Sequence, residues 1–393
     1  MKTARMMFPL MLALTSGCAT TLDQAAVLHQ TPQVGGDATM ASDGSACVVS
    51  GEVRTIAPKA LVRSGVELVQ ANGGLAVGFN KTPYDAVAMT IDPSSAMTTG
   101  SYSRHSAAPI RHVTPIERGA DAVGASIDAD CKSRSLRGSV TISAKEPFVV
   151  GTSDDGIAWS PCSSDSPRTF WHLAQPSVGG EPDRPLTRPS VEDLRVIALA
   201  DGGVAVVFRQ GGQLWFGRID SEKNPVGPLK PIAERSQLRT PTLAESGDNV
   251  LIVWTEQSSQ RDRWSLAGVS VAPCGHVTPI ELGLPMESAE GDAIQPALAA
   301  ADAGHFLLVW TEGPTWTHQV RAVTLESHGR AVGPALRVSS GAESGWGRPA
   351  LTADGRGAVV YLVPTDSGFA VAATPIACPL SPAHASRVAA ARF

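Results

Sequence analysis

The sequence predicts an all-β fold built from similar four-stranded units closed into a ring. Three observations predict it. A phrase ending in an aromatic residue recurs along the chain, turn formers are abundant (Gly 38 and Pro 29 in 393 residues), and no capped apolar stripe at helical spacing competes.

The phrase is clearest in TPTLAESGDNVLIVWTE (240–256), QPALAAADAGHFLLVWTE (295–312) and RPALTADGRGAVVYLV (348–363). Each runs Pro, small residue, Leu, a polar turn, then an apolar run holding an aromatic. RVIALADGGVAVVFRQ (195–210) and ELVQANGGLAVGFNK (67–81) fit the template without the proline. The aromatic anchors are Phe79, Phe208, Trp254, Trp310 and Tyr361, and from Phe208 their separations are 46, 56 and 51 residues by subtraction. A second apolar phrase follows each of the first four anchors (88–93, 217–222, 270–275, 323–329), with a further copy at 125–130. Short apolar–Pro phrases come later, two of them identical: HVTPIE at 112–117 and at 276–281.

One unit therefore reads as four short strands in about 50 residues, the size of a propeller blade. A small sheet that is apolar on both faces cannot bury them alone. Face-to-face stacking around a ring buries both and leaves only short outer edges. The fold class is an all-β β-propeller of six or seven four-stranded blades, with a solenoid or tandem sandwiches as the alternative. The stretch at about 130–190 matches the template poorly.

Three segments follow. Residues 1–17 have the layout of a secretory signal: Lys2 and Arg5, then an apolar run from Met6 to Leu14 that is too short to span a bilayer. Small residues lead to Cys18. This resembles the bacterial lipobox, which implies a lipid on Cys18; Leu14 stands four places before the cysteine, where that pattern usually has leucine three before. The alternative is a secretory cut after Ala19 that discards Cys18. Residues 18–46 are small, polar and unpatterned, as in a flexible tether. Residues 47–393 form the propeller domain, which resembles the irregular β-propellers of exported bacterial lipoproteins that have no assigned activity. That resemblance implies a location in the cell envelope, at the outer membrane on its periplasmic or surface face, with the membrane contacted through the lipid.

A formal net charge of −5 argues against nucleic acid as a partner. An exported compartment permits disulfides. Cys131 with Cys162 is the nearest pair, and Cys47 with Cys378 follows because ring closure would bring the two ends together; spacing decides neither. No cysteine or histidine spacing suits a metal, and no cofactor is expected.

TSDDGIAW (152–159) resembles the Asp-box of sialidase-like propellers, with Thr152, Asp154, Gly156 and Trp159 in its key places. The role this implies is structural: a turn closed by side-chain hydrogen bonds above a packed tryptophan. Sialidase chemistry would also need a tyrosine nucleophile and an arginine cluster. Only Tyr84, Tyr102 and Tyr361 exist, and no ordered arginine set is visible.

Glu256 and Glu312 each stand two places after an anchor tryptophan, at the mouth of a loop on one face of the ring. Two carboxylates there suit a cation or acid–base work; alternatively they echo the repeat, solvated or paired with an arginine. Trp316, His318 and Trp346 fall on the same face and suit sugar or protein recognition, unless the tryptophans are simply packed. The function these features predict is a non-enzymatic envelope platform for a protein or glycan. The alternative is an envelope polysaccharide hydrolase or lyase of the sialidase-like propeller type.

Overall fold

The computed structural model describes residues 46–61, 66–71, 74–107, 109–110, 113–117, 123–127, 136–142, 148–153, 156–161, 168–172, 191–235, 237–247, 249–257, 263–284, 291–302, 304–314, 317–339 and 343–379. Their regular structure is entirely β. Two short strands, β1 (Val48–Val49) and β2 (Arg54–Ala60), precede the first blade: β3 (Val66–Ala71), β4 (Gly74–Thr82), β5 (Asp85–Ile91) and β6 (Thr98–His105). A two-stranded sheet follows, β7 (Val113–Glu117) with β8 (Val123–Ile127).

The third blade is β9 (Arg137–Ile142), β10 (Phe148–Thr152), β11 (Gly156–Pro161) and β12 (Arg168–His172). The fourth is β13 (Glu192–Ala198), β14 (Val204–Gln210), β15 (Gln213–Ile219) and β16 (Lys230–Glu234). The fifth is β17 (Leu238–Ser246), β18 (Asn249–Gln257), β19 (Trp264–Val271) and β20 (Val277–Ile280). The sixth is β21 (Asp292–Asp302), β22 (His305–Gly313), β23 (Gln319–Glu326) and β24 (Ala331–Arg337). The last is β25 (Gly345–Leu351), β26 (Arg356–Thr365) and β27 (Gly368–Ala377).

In every blade the strands pair antiparallel in chain order. The first strands touch one another in succession, β9 to β13, β13 to β17, β17 to β21, β21 to β25 and β25 to β3, so they line the axis. The chain is a β-propeller. Its poorly matching stretch is a full blade, β9 to β12. Sheet β7–β8 lies on the first blade, β7 against β3 and β4, and β8 against β5 and β6.

The anchors sit where the repeats predict, in the second strand of each blade, and all five are buried. Those strands read as unbroken apolar runs because both of their faces are covered. In β22, eight consecutive residues from Phe306 to Gly313 are buried. The clusters of buried residues each join adjacent blades: Phe208 with Val150 and Ile157, Trp254 with Val207 and Phe216, Trp310 with Leu251 and Val253, and Tyr361 with Leu307 and Val309. Phe79 packs with Val360 and Leu362, which joins the first blade to the last.

Two details of the sequence alignment change. The two HVTPIE phrases are not equivalent: the second forms β20, the outer edge of its blade, and the first forms β7, packed against the inner strands of its neighbour. Pro349 is not the counterpart of Pro241 and Pro296 either. It lies on the regular ladder opposite Val359, whereas Pro241 and Pro296 sit inside register shifts, where the missing N–H breaks no ladder bond.

The ring closes through its two ends. β1 and β2 both run antiparallel along β27 and supply the outer strand that the last three strands lack. Cys47 and Cys378, both buried, are joined by a disulfide across a sequence separation of 331. The Cys47 amide also donates to Thr324 Oγ1 (2.8 Å), tying the end strand to the sixth blade. Cys274, which neither expected pairing included, is disulfide-bonded as well. Cys131 and Cys162 lie outside the described residues.

Chain-entropy reasoning assigns a cross-link of this separation about 6 kcal/mol, while about 2–4 kcal/mol is typical of disulfides. The double variant Cys47→Ser, Cys378→Ser should therefore unfold at a lower denaturant midpoint than the oxidised wild type. An unchanged midpoint would mean that strand pairing alone holds the ring shut.

Candidate functional site

The antiparallel order puts two kinds of connection on one face of the ring, those from second to third strands and those from each blade to the next. Of the five residues expected to form a ligand surface, Glu256, Glu312, His318 and Trp346 belong to this face. Trp316 lies outside the described residues, as do Cys18 and Asp154; the others can be placed.

The face is built on a repeated irregularity. Register shifts separate Glu192 from Arg195, Arg239 from Thr242, Ile294 from Ala297 and Gly345 from Arg348. These are β-bulges at the start of four successive innermost strands. Each contains one non-glycine residue at positive φ: Asp193 (54°), Thr240 (47°), Gln295 (55°) and Trp346 (56°). Such a backbone costs about 1–3 kcal/mol per residue for most side chains and persists only where its surroundings hold it. Trp346 is therefore part of β25, not of the connection before it as the sequence suggests.

Hydrogen bonds join the bulges across three blades. Thr240 and Thr255 share a hydroxyl–hydroxyl contact (2.9 Å), and Thr255 Oγ1 accepts from the Gln295 amide (3.2 Å). Gln295 Oε1 accepts from Thr311 Oγ1 (3.1 Å) and from the Trp346 amide (3.2 Å). On the fourth blade, Arg209 Nε donates to Asp193 (3.2 Å). In each of these bulges the bulge residue is tied to the residue after an anchor: Arg209, Thr255 or Thr311.

Glu256 and Glu312 are occupied in the same way. Trp254 Nε1 donates to Glu256 Oε2 (3.0 Å), and Trp310 Nε1 donates to Glu312 Oε2 (3.1 Å). Residues two apart share a face of a strand, so Trp-Thr-Glu brings an indole N–H to its own acceptor. Glu312 is also within 3.9 Å of Arg321 Nε, and both side chains are 4% exposed. These carboxylates point into the blades and serve as structural acceptors.

Further open valences follow in the adjoining segments. His318 Nε2 and Ser344 Oγ are buried without a hydrogen-bond partner among the described residues. Their chain segments meet, since the Ser344 amide donates to the His318 carbonyl (2.9 Å). Trp346 follows two places on, half-buried and edge-on to Phe369 (ring centroids 6.3 Å apart). An unmade hydrogen bond in a buried group costs about 1–3 kcal/mol, so each of these atoms is a point where a polar partner would be gained. His318 and Trp346 were legible as loop and aromatic residues. Ser344 and Gln295 carry no sequence signal beyond their adjacency to that tryptophan and proline.

The Asp-box-like phrase joins β10 to β11, and the middle of its turn lies outside the described residues. The Ser153 amide and hydroxyl both donate to the Gly156 carbonyl (2.8 and 3.3 Å). Thr152 pairs with Ile157, and Trp159 stacks on Phe170 of the neighbouring strand. On the opposite face, a pocket of about 250 Å³ lies between the fourth and fifth blades, lined by Phe216, Val226, Pro228, Val271 and Pro273. Its cations are already engaged: Arg218 with Asp201 (2.7 Å) and Lys230 with the Gly275 carbonyl (2.5 Å). Among the described residues, no three His, Cys, Asp or Glu side chains are grouped to hold a metal.

No protein-family model matches the chain, and no curated protein matches it. Among solved structures, a protein of unknown function from Dyadobacter fermentans is similar, with 13% identity and a TM-score of 0.45 over 83% of this chain and 99% of the other. An α-L-arabinofuranosidase of Fusarium graminearum is similar at 9% identity and a TM-score of 0.46, over 84% of this chain and 98% of that enzyme. A thermostable family-43 glycoside hydrolase is similar at 11% identity and a TM-score of 0.37, over 74% and 99%.

Glu312→Gln keeps an acceptor for Trp310 but removes the charge beside buried Arg321, so it should destabilise by about 2 kcal/mol or more. Glu256→Gln, half-buried, should cost less than about 1 kcal/mol. Urea unfolding of the two variants measures the difference, and equal losses would contradict the structural role given to the Glu312–Arg321 pair.

Proposed function

We propose that this protein is a non-enzymatic, lipid-anchored propeller of the bacterial cell envelope that binds a glycan on the bulged face of its sixth and last blades. The observation that carries this reading is the pair of buried, unpartnered polar atoms, His318 Nε2 and Ser344 Oγ, beside half-buried Trp346. A sugar answers both needs. Its hydroxyls donate and accept at close range, and its C–H face stacks on an indole. The two repeated glutamates, the obvious acid–base candidates, are already acceptors for buried tryptophans, which favours binding over hydrolysis.

The anchor rests on Cys18 and the residues before it. Membrane fractions should retain the full chain, and Cys18→Ala should release it to the soluble fraction. Equal retention of both would remove the lipid from the proposal.

Glycan binding is tested by affinity electrophoresis of the protein through gels containing bacterial envelope polysaccharides, with reducing-end release assayed in parallel. Retardation by at least one polysaccharide, weakened about tenfold or more by His318→Ala and by Trp346→Ala at unchanged melting temperature, is expected. Retardation indifferent to both variants, or none at all, would defeat the reading. Release of reducing ends would replace it with the hydrolase.

A further inference from the structure

A second feature of the axis is independent of the His318 site. Arg195 and Arg348 occupy the same position in two different blades. Arg195 pairs with Val207 and Arg348 with Val360, each the residue before an anchor. Each follows a bulge residue at positive φ by two places, and each donates through Nη1 to the carbonyl of the residue before it, Leu194 (3.4 Å) and Gly347 (3.1 Å). Innermost strands line the axis, and a bulge re-aims the side chains that leave it. The same position in the two intervening blades holds Thr242 and Ala297, which carry shorter side chains.

Burial lowers the pKa of Arg348 from its ordinary value, Glu67 opposes that, and the charge of Arg195 lowers it further. Glu67 of β3 lies 4.0 Å from Arg348 Nε, with the two side chains 30% and 20% exposed. The other nearby carboxylates, Glu192 and Asp193, are engaged by Arg209. Arg348 and Glu67 thus share a partly desolvated place on the innermost strands, with Arg195 at the equivalent position three blades along the ring, an arrangement that favours a further anion.

We propose that Arg195 and Arg348 form an oxyanion site in the central channel that takes the carboxylate of an acidic sugar. The planar, forked guanidinium recognises carboxylate and phosphate alike, so the source of the oxyanion has to be found by experiment. Glu67 acts as the resident competitor: it holds Arg348 when the site is empty and yields part of that contact when an anion arrives.

The test is isothermal titration of the full-length, detergent-solubilised protein with glucuronate, glucose and inorganic phosphate, at two salt concentrations. Glucuronate should bind and glucose should not, with affinity falling as salt rises. Arg195→Gln and Arg348→Gln should each weaken binding about tenfold or more. Glu67→Gln should tighten it several-fold, which a merely structural ion pair would not do. The Arg195→Gln variant keeps the test valid if Arg348→Gln fails to fold. Phosphate binding more tightly than glucuronate would keep the oxyanion site and reassign its source. No binding of either anion, or binding unaffected by Arg195→Gln and Glu67→Gln, would overturn the proposal. The polysaccharide test of His318 and Trp346 can fail without touching this result, and the reverse holds as well.

Discussion

The structure depends on closure of the ring. Each blade is a thin sheet with apolar side chains on both faces, and it becomes stable only between two neighbours. The seam joins the ends of the chain. Val66, Leu68 and Phe79 of the first blade meet Val360, Leu362 and Val371 of the last, beneath an outer strand contributed by the amino-terminal segment. Contacts between residues so far apart in sequence carry a large loop-closure cost. The strand pairing and the Cys47–Cys378 link offset it at the one place where local contacts cannot. An open seam would expose that cluster and let the innermost strands drift, and Glu67 of the first blade meets Arg348 of the last only while it stays shut.

Closure also explains what the repeated acids do. Tryptophan is favoured as a blade anchor for its buried area, yet its N–H needs an acceptor once water is excluded. Glutamate two residues later supplies one on the same face of the strand. In the sixth blade this draws in Arg321, so that a buried tryptophan, carboxylate and guanidinium form one polar group inside the wall. The anchors Phe79, Phe208 and Tyr361 carry no indole N–H, and Lys81, Gln210 and Val363 stand in the places equivalent to the glutamates. The acid accompanies the tryptophan, which is the pattern of a packing solution and not of a ring of ligands.

Much of this was legible in the sequence. The anchors gave the second strands, the following apolar phrases gave the third, and the odd position of the two chain ends suggested a link between Cys47 and Cys378. The blade at 137–172 was hidden because its strands are short and its anchor-like phrase is degenerate. The innermost strands were misaligned at Pro349, because a proline is a landmark in sequence while a bulge shifts the register beneath it. The arginine pair had a signal that went unread: Arg195 precedes Phe208, and Arg348 precedes Tyr361, by the same distance (208 − 195 = 361 − 348). The orphaned atoms of His318 and Ser344 had none, since satisfaction of a hydrogen bond is a property of three-dimensional neighbours.

The four bulges show most directly that the face is more than a rim. Glycine adopts positive φ at no steric cost, and many turns of this chain use it so, among them Gly202, Gly275 and Gly355. At the innermost strands the same backbone is imposed instead on Asp, Thr, Gln and Trp, residues whose side chains must be wanted to justify the strain. Three of the four are held by bonds to the strand behind them, through Arg209, Thr255 and Thr311, and the fourth through its amide to Gln295. A bulge of this kind turns the side chains around it away from the regular alternation of the sheet. In the fourth and last blades the residues redirected in this way include Arg195 and Arg348. Where selection for stability alone would place glycine, the chain carries polar and aromatic groups at one end of its innermost strands.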